Sequence, residues 1–204
     1  MYKFDHDWFS QNINNLSHLL NGHKESKINI LEIGSFEGRS TVWFLENTAC
    51  NITCIDTWEG GEDHDKENPE INFATVKENF DHNTKEFEDR VTIVRGNSFK
   101  TLVNLQLFDS MKFDMVYVDG SHKAKDVLAD LVLSWPMLNP GALIYCDDYY
   151  WGFYKDDLVK FPHLDPTYDS PKLGIDAFAS VYRNKIKPLV GLSNNAAVFV
   201  KVAE

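Results

Sequence analysis

The chain has 204 residues, 43% hydrophobic and 25% charged, a length and balance expected of one soluble globular domain whose core needs no disulfide staples. Its 31 acidic against 20 basic residues give a net charge of −11, which repels a phosphate backbone and excludes non-specific nucleic-acid binding. No apolar run reaches the roughly 18 residues of a membrane span. The N-terminus carries no secretory pattern, and Cys50, Cys54 and Cys146 show no CxxC spacing; they read as core thiols of a reducing, cytoplasmic compartment.

In chain order, Phe4, Trp8, Ile13, Leu16 and Leu20 recur at helical intervals before Gly22, predicting a leading helix that covers a sheet edge or a ligand mouth and could serve a homodimer. Ile28 to Ile33 is a buried-type strand that ends at Gly34. Gly38, Ser40 and Thr41 then lead into a helix over 39–46. A second strand covers 51–56, followed by a polar, acidic loop over 58–69 and a helical stripe at Phe73, Val76 and Phe80. Val91 to Arg95 forms the third strand, with a helix through Leu102 and Leu105 after it. Phe113 to Val118 forms the fourth, ending at Asp119, and Val127, Leu128, Leu131, Val132 and Trp135 mark the next helix. The turn Asn139-Pro140-Gly141 precedes a fifth strand over 142–146, which runs into Asp147 and Asp148. An aromatic loop, a helix over 175–182 and an antiparallel hairpin over 186–192 and 196–202 close the chain.

Alternating strands and helices imply an α/β fold: a Rossmann-like, doubly wound mixed sheet of about seven strands with a C-terminal antiparallel hairpin. In such folds a ligand sits at the carboxyl end of the first strand. A dinucleotide turn reads G-x-G-x-x-G, the second glycine admitting a pyrophosphate. Here Phe36 takes that place in Gly34-Ser35-Phe36-Glu37-Gly38, and Glu37 adds negative charge. Both argue against a nicotinamide oxidoreductase. S-adenosylmethionine (SAM) has no phosphate and carries a sulfonium and an ammonium, which suit a turn preceded by Glu32. Asp56 lies 22 positions after Gly34, where a carboxylate can accept from both ribose hydroxyls, and Trp58 could stack on or close over adenine.

The segments Glu32-Ile-Gly34-Ser-Phe-Glu-Gly38-Arg-Ser-Thr, Ile55-Asp56-Thr-Trp58, Val118-Asp119-Gly-Ser-His122 and Cys146-Asp147-Asp148-Tyr149, in that order, resemble class I SAM-dependent methyltransferases. More narrowly they are similar to the bacterial and viral group called methyltransferase domain 24, related to metal-dependent O-methyltransferases. The resemblance spans roughly residues 28 to 202. It implies that Glu32, Gly34 and Gly38 surround the methionine portion, with Ser35, Phe36 and Ser40 on the same turn. It implies ribose binding at Asp56 beside Thr57 and Trp58, adenine contacts near Asn97 and Ser98, and Asp119 beside the donor. Phe36 departs from the glycine of many class I members. The expected layout is one methyltransferase domain over 1–204: an N-terminal helix within 1–24, a SAM-binding core over 28–148, an acceptor-side loop over 149–172, and a helix and closing hairpin over 173–204.

Strands four and five, expected as neighbours, both end in aspartate. Asp119, Asp147 and Asp148 would converge at the carboxyl edge, where carboxylates repel unless a cation or protons intervene. Mg²⁺ fits an all-carboxylate set and would lower the pKa of an acceptor hydroxyl. One acid of the tandem pair could equally cap the next segment. His122, three positions after Asp119, suits a general base. The aromatic segment from Tyr149 has the composition of a wall for a small-molecule or glycan acceptor, or of a simple cover for the sheet end. The expected activity is Mg²⁺-assisted O-methylation. The alternatives are metal-independent N- or O-methylation with His122 as base, and a non-catalytic SAM-binding protein.

Overall fold

In the computed structural model, residues 1–60, 71–108, 111–160, 162–165, 167–192 and 195–204 are described. Among them, seven strands form one sheet: β1 Asn29–Ile33, β2 Asn51–Asp56, β3 Val91–Arg95, β4 Phe113–Val118, β5 Leu138–Cys146, β6 Ile186–Pro188 and β7 Ala197–Lys201. The order is β3-β2-β1-β4-β5-β7-β6. β1 to β5 run parallel, and β7 is antiparallel to both β5 and β6. The helices are α1 Ile13–Leu19, α2 Arg39–Asn47, α3 Phe73–Thr84, α4 Ser98–Phe108, α5 Ala124–Ser134, α6 Lys155–Lys160 and α7 Pro171–Val181. The chain winds outward from β1 to β3 and then crosses back to β4. The topological switch, and with it a crevice, therefore falls between the carboxyl ends of β1 and β4.

Strand alternation sorts the side chains into two apolar layers. Leu31, Ile33, Val116, Val118, Ile144 and Cys146 face one way, onto Leu102, Val127, Leu131, Ile175 and Phe178 of α4, α5 and α7. Ile30, Ile52, Cys54, Met115, Tyr117 and Tyr145 face the other way, onto Phe9, Leu16, Phe44, Leu45, Val76 and Phe80. The central strands β1, β4 and β5 are buried on both faces, which explains their near-continuous apolar runs. β3 lies at the edge, and Ile93 on it is 44% exposed.

The expected mixed sheet is thus present, with four local differences. The leading helix is confined to Ile13–Leu19 with a 3₁₀ turn over Ser10–Asn12 before it. Residues 1–9 run as a non-helical strap, because side chains elsewhere capture their backbone. β5 begins at Leu138, so the Asn139-Pro140-Gly141 turn lies within an irregular stretch of the strand, at a register shift against β4. The closing strands are shorter than the apolar runs that suggested them, and the loop over 149–172 contains the short helix α6. Most of the acidic loop over 58–69 lies outside the described residues.

Candidate active site

The turn after β1 is shaped from below by Glu32. Its carboxylate is fully buried and accepts from the hydroxyls of Ser35 (2.6 Å), Ser40 (2.6 Å) and Thr41 (2.5 Å). Burial raises its pKa against the pull of those three bonds. Glu32 therefore knits β1, the turn and the first turn of α2 together, rather than presenting an open charge to a ligand. Gly34 sits at φ +87°, and a Cβ there would lie 2.1 Å from the Asp119 carbonyl oxygen. Only glycine allows the turn to approach the end of β4 so closely. Gly38, also left-handed, abuts the Phe80 ring at the start of α2.

Phe36 stands at φ +45°, uncommon for a bulky residue, and is held on two sides. Its backbone N–H, like that of Ser35, donates to Asp56 Oδ2 (2.9 and 2.8 Å). Its carbonyl accepts from Trp58 Nε1 at 2.9 Å. Asp56 Oδ1 in turn accepts from Trp58 N at 2.7 Å. A carboxylate offers about four acceptor sites, so bonds from the described residues leave about one open on Asp56. Trp58 is 3% exposed and packs against Phe80 (centroids 4.9 Å) under Lys77. It braces the turn from the core side and is not placed to stack on adenine, which corrects that expectation. Thr57 ties the end of β2 to β3: its carbonyl accepts from Arg95 Nε at 3.1 Å. Asn97 caps α4, its carbonyl accepting from Thr101 N at 3.0 Å, so Ser98 opens that helix at the carboxyl end of β3.

Glu37 turns away from the ligand crevice. Buried to 2% exposure, it accepts from the backbone N–H groups of Asp5 (2.9 Å) and His6 (3.2 Å) and from Asn79 Nδ2 (2.8 Å). Asn83 accepts from Lys3 N and donates to Lys3 O, both at 2.7 Å. These bonds lay the strap over the turn, with Trp8 against the Phe36 ring at 4.9 Å.

At the acceptor side the tandem acids part. Asp147 continues the Tyr145 face of β5 and is 5% exposed. Its Oδ2 accepts from Tyr117 Oη at 2.6 Å and from Asn12 Nδ2, and its Oδ1 from Asp148 N at 2.9 Å. Burial first, then the Asp148 charge, pushes its pKa up to about 7. Asp148, at φ +51°, swings the other way, and its Oδ2 lies 3.3 Å from His122 Nε2. The His122 ring rests on Trp151 at 4.2 Å between centroids. Asp119, His122 and Asp148 each offer one ligand atom, all within 4.8 Å of one another. Burial, and then the neighbouring acids Asp147, Asp148 and Glu32, hold the Asp119 carboxyl well above the usual range. Such a group gains from a cation, and the carboxylate oxygens of Asp119 and Asp148 are donors of the kind that suit Mg²⁺ or Mn²⁺, with the His122 imidazole beside them. Of the expected trio Asp119, Asp147 and Asp148, the structure brings together the first and last. His122, and not Asp147, joins them within that distance, while Asp147, on the same strand face as Asp119, is engaged by Asn12 and Tyr117.

Asn12 and Asn195 are participants that the sequence reading missed, and Glu37, read there as a charge at the ligand turn, serves the strap instead. Their partners lie 31 to 135 positions away, and no local spacing announces them. One signal was available: two tyrosines inside buried strands, Tyr117 and Tyr145, each need a polar partner. They are register partners, and Asn12 serves both.

With this geometry in hand, the comparisons are decisive about kinship. The family described as Methyltransferase domain, methyltransferase domain 24, matches residues 31–149. The chain belongs to this methyltransferase family. A protein of Acanthamoeba polyphaga mimivirus is 26% identical over 140 residues, covering 66% of this chain and 57% of its own length. The chain thus spans little more than half of that curated relative. Among solved structures, the O-methyltransferase of Bacillus cereus in complex with SAH is 19% identical with a TM-score of 0.65, covering 98% of this chain and 84% of its own. MycE methyltransferase of the mycinamycin biosynthetic pathway, in complex with Mg and SAH, is 18% identical with a TM-score of 0.61, covering 99% of this chain and 51% of its own. These likenesses establish the methyltransferase fold. No helix among the described residues is long and apolar enough to cross a membrane.

Proposed function

We propose that the protein transfers a methyl group from SAM to a hydroxyl of a small molecule or glycan, with Mg²⁺ held by Asp119 and Asp148. The observation that carries this reading is the gathering of Asp119, His122 and Asp148 within 4.8 Å, beside the glycine turn at the β1/β4 switch. SAM supplies an electrophilic methyl on sulfur. The Gly34–Gly38 turn would seat its methionine portion, the free acceptor site of Asp56 would take a ribose hydroxyl, and Asn97 and Ser98 would meet the adenine edge. Asp119 and Asp148 would hold Mg²⁺, which when bound would supply Lewis-acid polarisation of the acceptor hydroxyl. His122 Nε2, 3.3 Å from Asp148 Oδ2, would take the hydroxyl proton. Tyr149, Tyr150 and Trp151 would offer ring faces to the acceptor. Holding donor and hydroxyl in line supplies much of the rate gain. The three free, buried thiols support a reducing, cytoplasmic setting, and the single sheet supports one domain over the whole chain.

The 3.3 Å contact of His122 with Asp148 also favours a second reading, a metal-independent dyad. Incubation with SAM and a panel of catechols and pyranosides, reading SAH released, separates the two. The Mg²⁺-assisted reading expects turnover that collapses on exhaustive chelation and returns with Mg²⁺. Undiminished turnover after chelation, lost in His122→Ala, selects the dyad. SAM binding without turnover of any acceptor would leave a non-catalytic SAM-binding protein.

A further inference from the structure

The segment that follows β5 divides its aromatic side chains between two surfaces. Trp151 N donates to the Asp148 carbonyl at 2.9 Å, and Phe153 N to the Tyr150 carbonyl at 3.1 Å. These turns lay Trp151 on the His122 ring and leave Tyr150, Phe153 and Tyr154 exposed. The three exposed rings form one cluster, their centroids 5.2 Å (Tyr150 to Tyr154), 5.5 Å (Phe153 to Tyr154) and 6.2 Å (Tyr150 to Phe153) apart. Tyr149 backs the cluster, meeting Tyr150 edge-on at 4.6 Å. Its hydroxyl donates to Asp176 Oδ1 at 2.7 Å and accepts from Lys172 Nζ at 2.8 Å. Lys172 Nζ also lies over the Tyr149 and Phe153 rings, at 4.7 and 5.5 Å from their centroids. Asn195 pins the segment to the closing hairpin. Its carbonyl accepts from Tyr149 N at 2.7 Å, its Oδ1 accepts from Tyr150 N, and its Nδ2 donates to Asp148 Oδ1 at 3.1 Å.

We propose that Tyr150, Phe153 and Tyr154 form a stacking platform for a neutral pyranose ring, which makes the acceptor a saccharide or glycoside and these rings its specificity determinants. The inference rests on the reading of the chain as a hydroxyl methyltransferase and narrows its acceptor. A cluster of exposed rings marks a binding surface, and this one adjoins the His122 side of the site. Its rings meet edge to face (79°) or tilted (32° and 51°), so these three leave no slot of parallel planes to sandwich a flat aromatic acceptor. What the cluster offers is open ring faces, whose negative quadrupole attracts the polarised C–H bonds of a sugar face. The Tyr149 hydroxyl, Lys172 and Asp176 add polar groups that can bond ring hydroxyls. A net charge of −11 turns away anionic saccharides and so selects a neutral one. Pinned by Asn195, the platform needs little ordering on binding.

An array of neutral and carboxylated glycans, probed with the SAH-saturated full chain, tests this, followed by calorimetric titration of the best-bound glycan and of catechol. Neutral glycans are expected to be retained. Tyr154→Ala and Tyr150→Ala are each expected to weaken the titrated glycan by about three- to tenfold, while Tyr154→Phe, which keeps the ring, binds as wild type does. SAH affinity is expected to hold in all three. If Tyr150→Ala or Tyr154→Ala does not fold, the leucine variant at that position carries the same test. No glycan retained, a preference for carboxylated glycans, glycan affinity unchanged without the rings, or ring-dependent binding of catechol alone would each overturn the platform. Its failure is distinct from that of the methyltransferase reading. Ring-dependent glycan binding with no SAH released from SAM would sustain the platform and sink methyl transfer, whereas SAH release on a pyranoside that is indifferent to ring loss would do the reverse.

Discussion

Two residues decide the shape of the turn after β1. Gly34→Ala would set a methyl 2.1 Å from the Asp119 carbonyl oxygen at φ +87°, so β1 and β4 must separate. A loss of more than about 4 kcal/mol is expected, read by chemical denaturation. Glu32→Ala would strand three hydroxyls in a dry pocket, for a loss of about 2–5 kcal/mol in the same measurement. Both positions were legible as important, since glycine at a strand end and an acid two residues before it are local signals. Their roles were less legible. Glu32 looked like a partner for the SAM cations because a sequence does not show that Ser35, Ser40 and Thr41 take up its lone pairs. The tandem acids repeat the point. Period-two alternation through Tyr145 and Cys146 already sends Asp147 to one face, but the φ of +51° that turns Asp148 to His122 has no signature in residue type.

At the level of elements, the sheet was readable because its strands are short, apolar and punctuated by glycine or aspartate at their carboxyl ends. The N-terminal strap was not. Phe4 and Trp8 share a helical interval with Leu16, yet the backbone of residues 3–6 is drawn out by Glu37 on the turn after β1 and Asn83 on α3, both distant in sequence. Glu37→Ala removes the acceptor for two backbone N–H groups. It is expected to cost about 1–3 kcal/mol and to speed amide hydrogen exchange at Asp5 and His6 while the amides of β4 stay protected. Equal acceleration in β4 would mean that the strap is inseparable from the core.

For the whole molecule, stability carries a pH signature from a carboxyl outside the site. Asp130 on α5 is 1% exposed, and burial, with Asp126 nearby, pushes its pKa up to about 7 against a partial offset from Ser98. An acid whose folded pKa lies above its unfolded value favours the fold at low pH. That contribution fades as pH rises from about 4 through about 7. Asp130→Asn is therefore expected to raise Tm at pH 8 by ~2–4 °C per kcal/mol gained, and by far less at pH 5. The proposed division of labour, with donor contacts at β1 to β3 and acceptor chemistry at β4 and β5, is tested most directly by SAH titration calorimetry on three proteins. Wild type is expected to bind SAH, Asp56→Ala to bind it at least about tenfold more weakly, a loss of 1.4 kcal/mol or more, and Asp148→Asn to bind it as wild type does. Equal SAH affinity in wild type and Asp56→Ala, or a loss confined to Asp148→Asn, would contradict it.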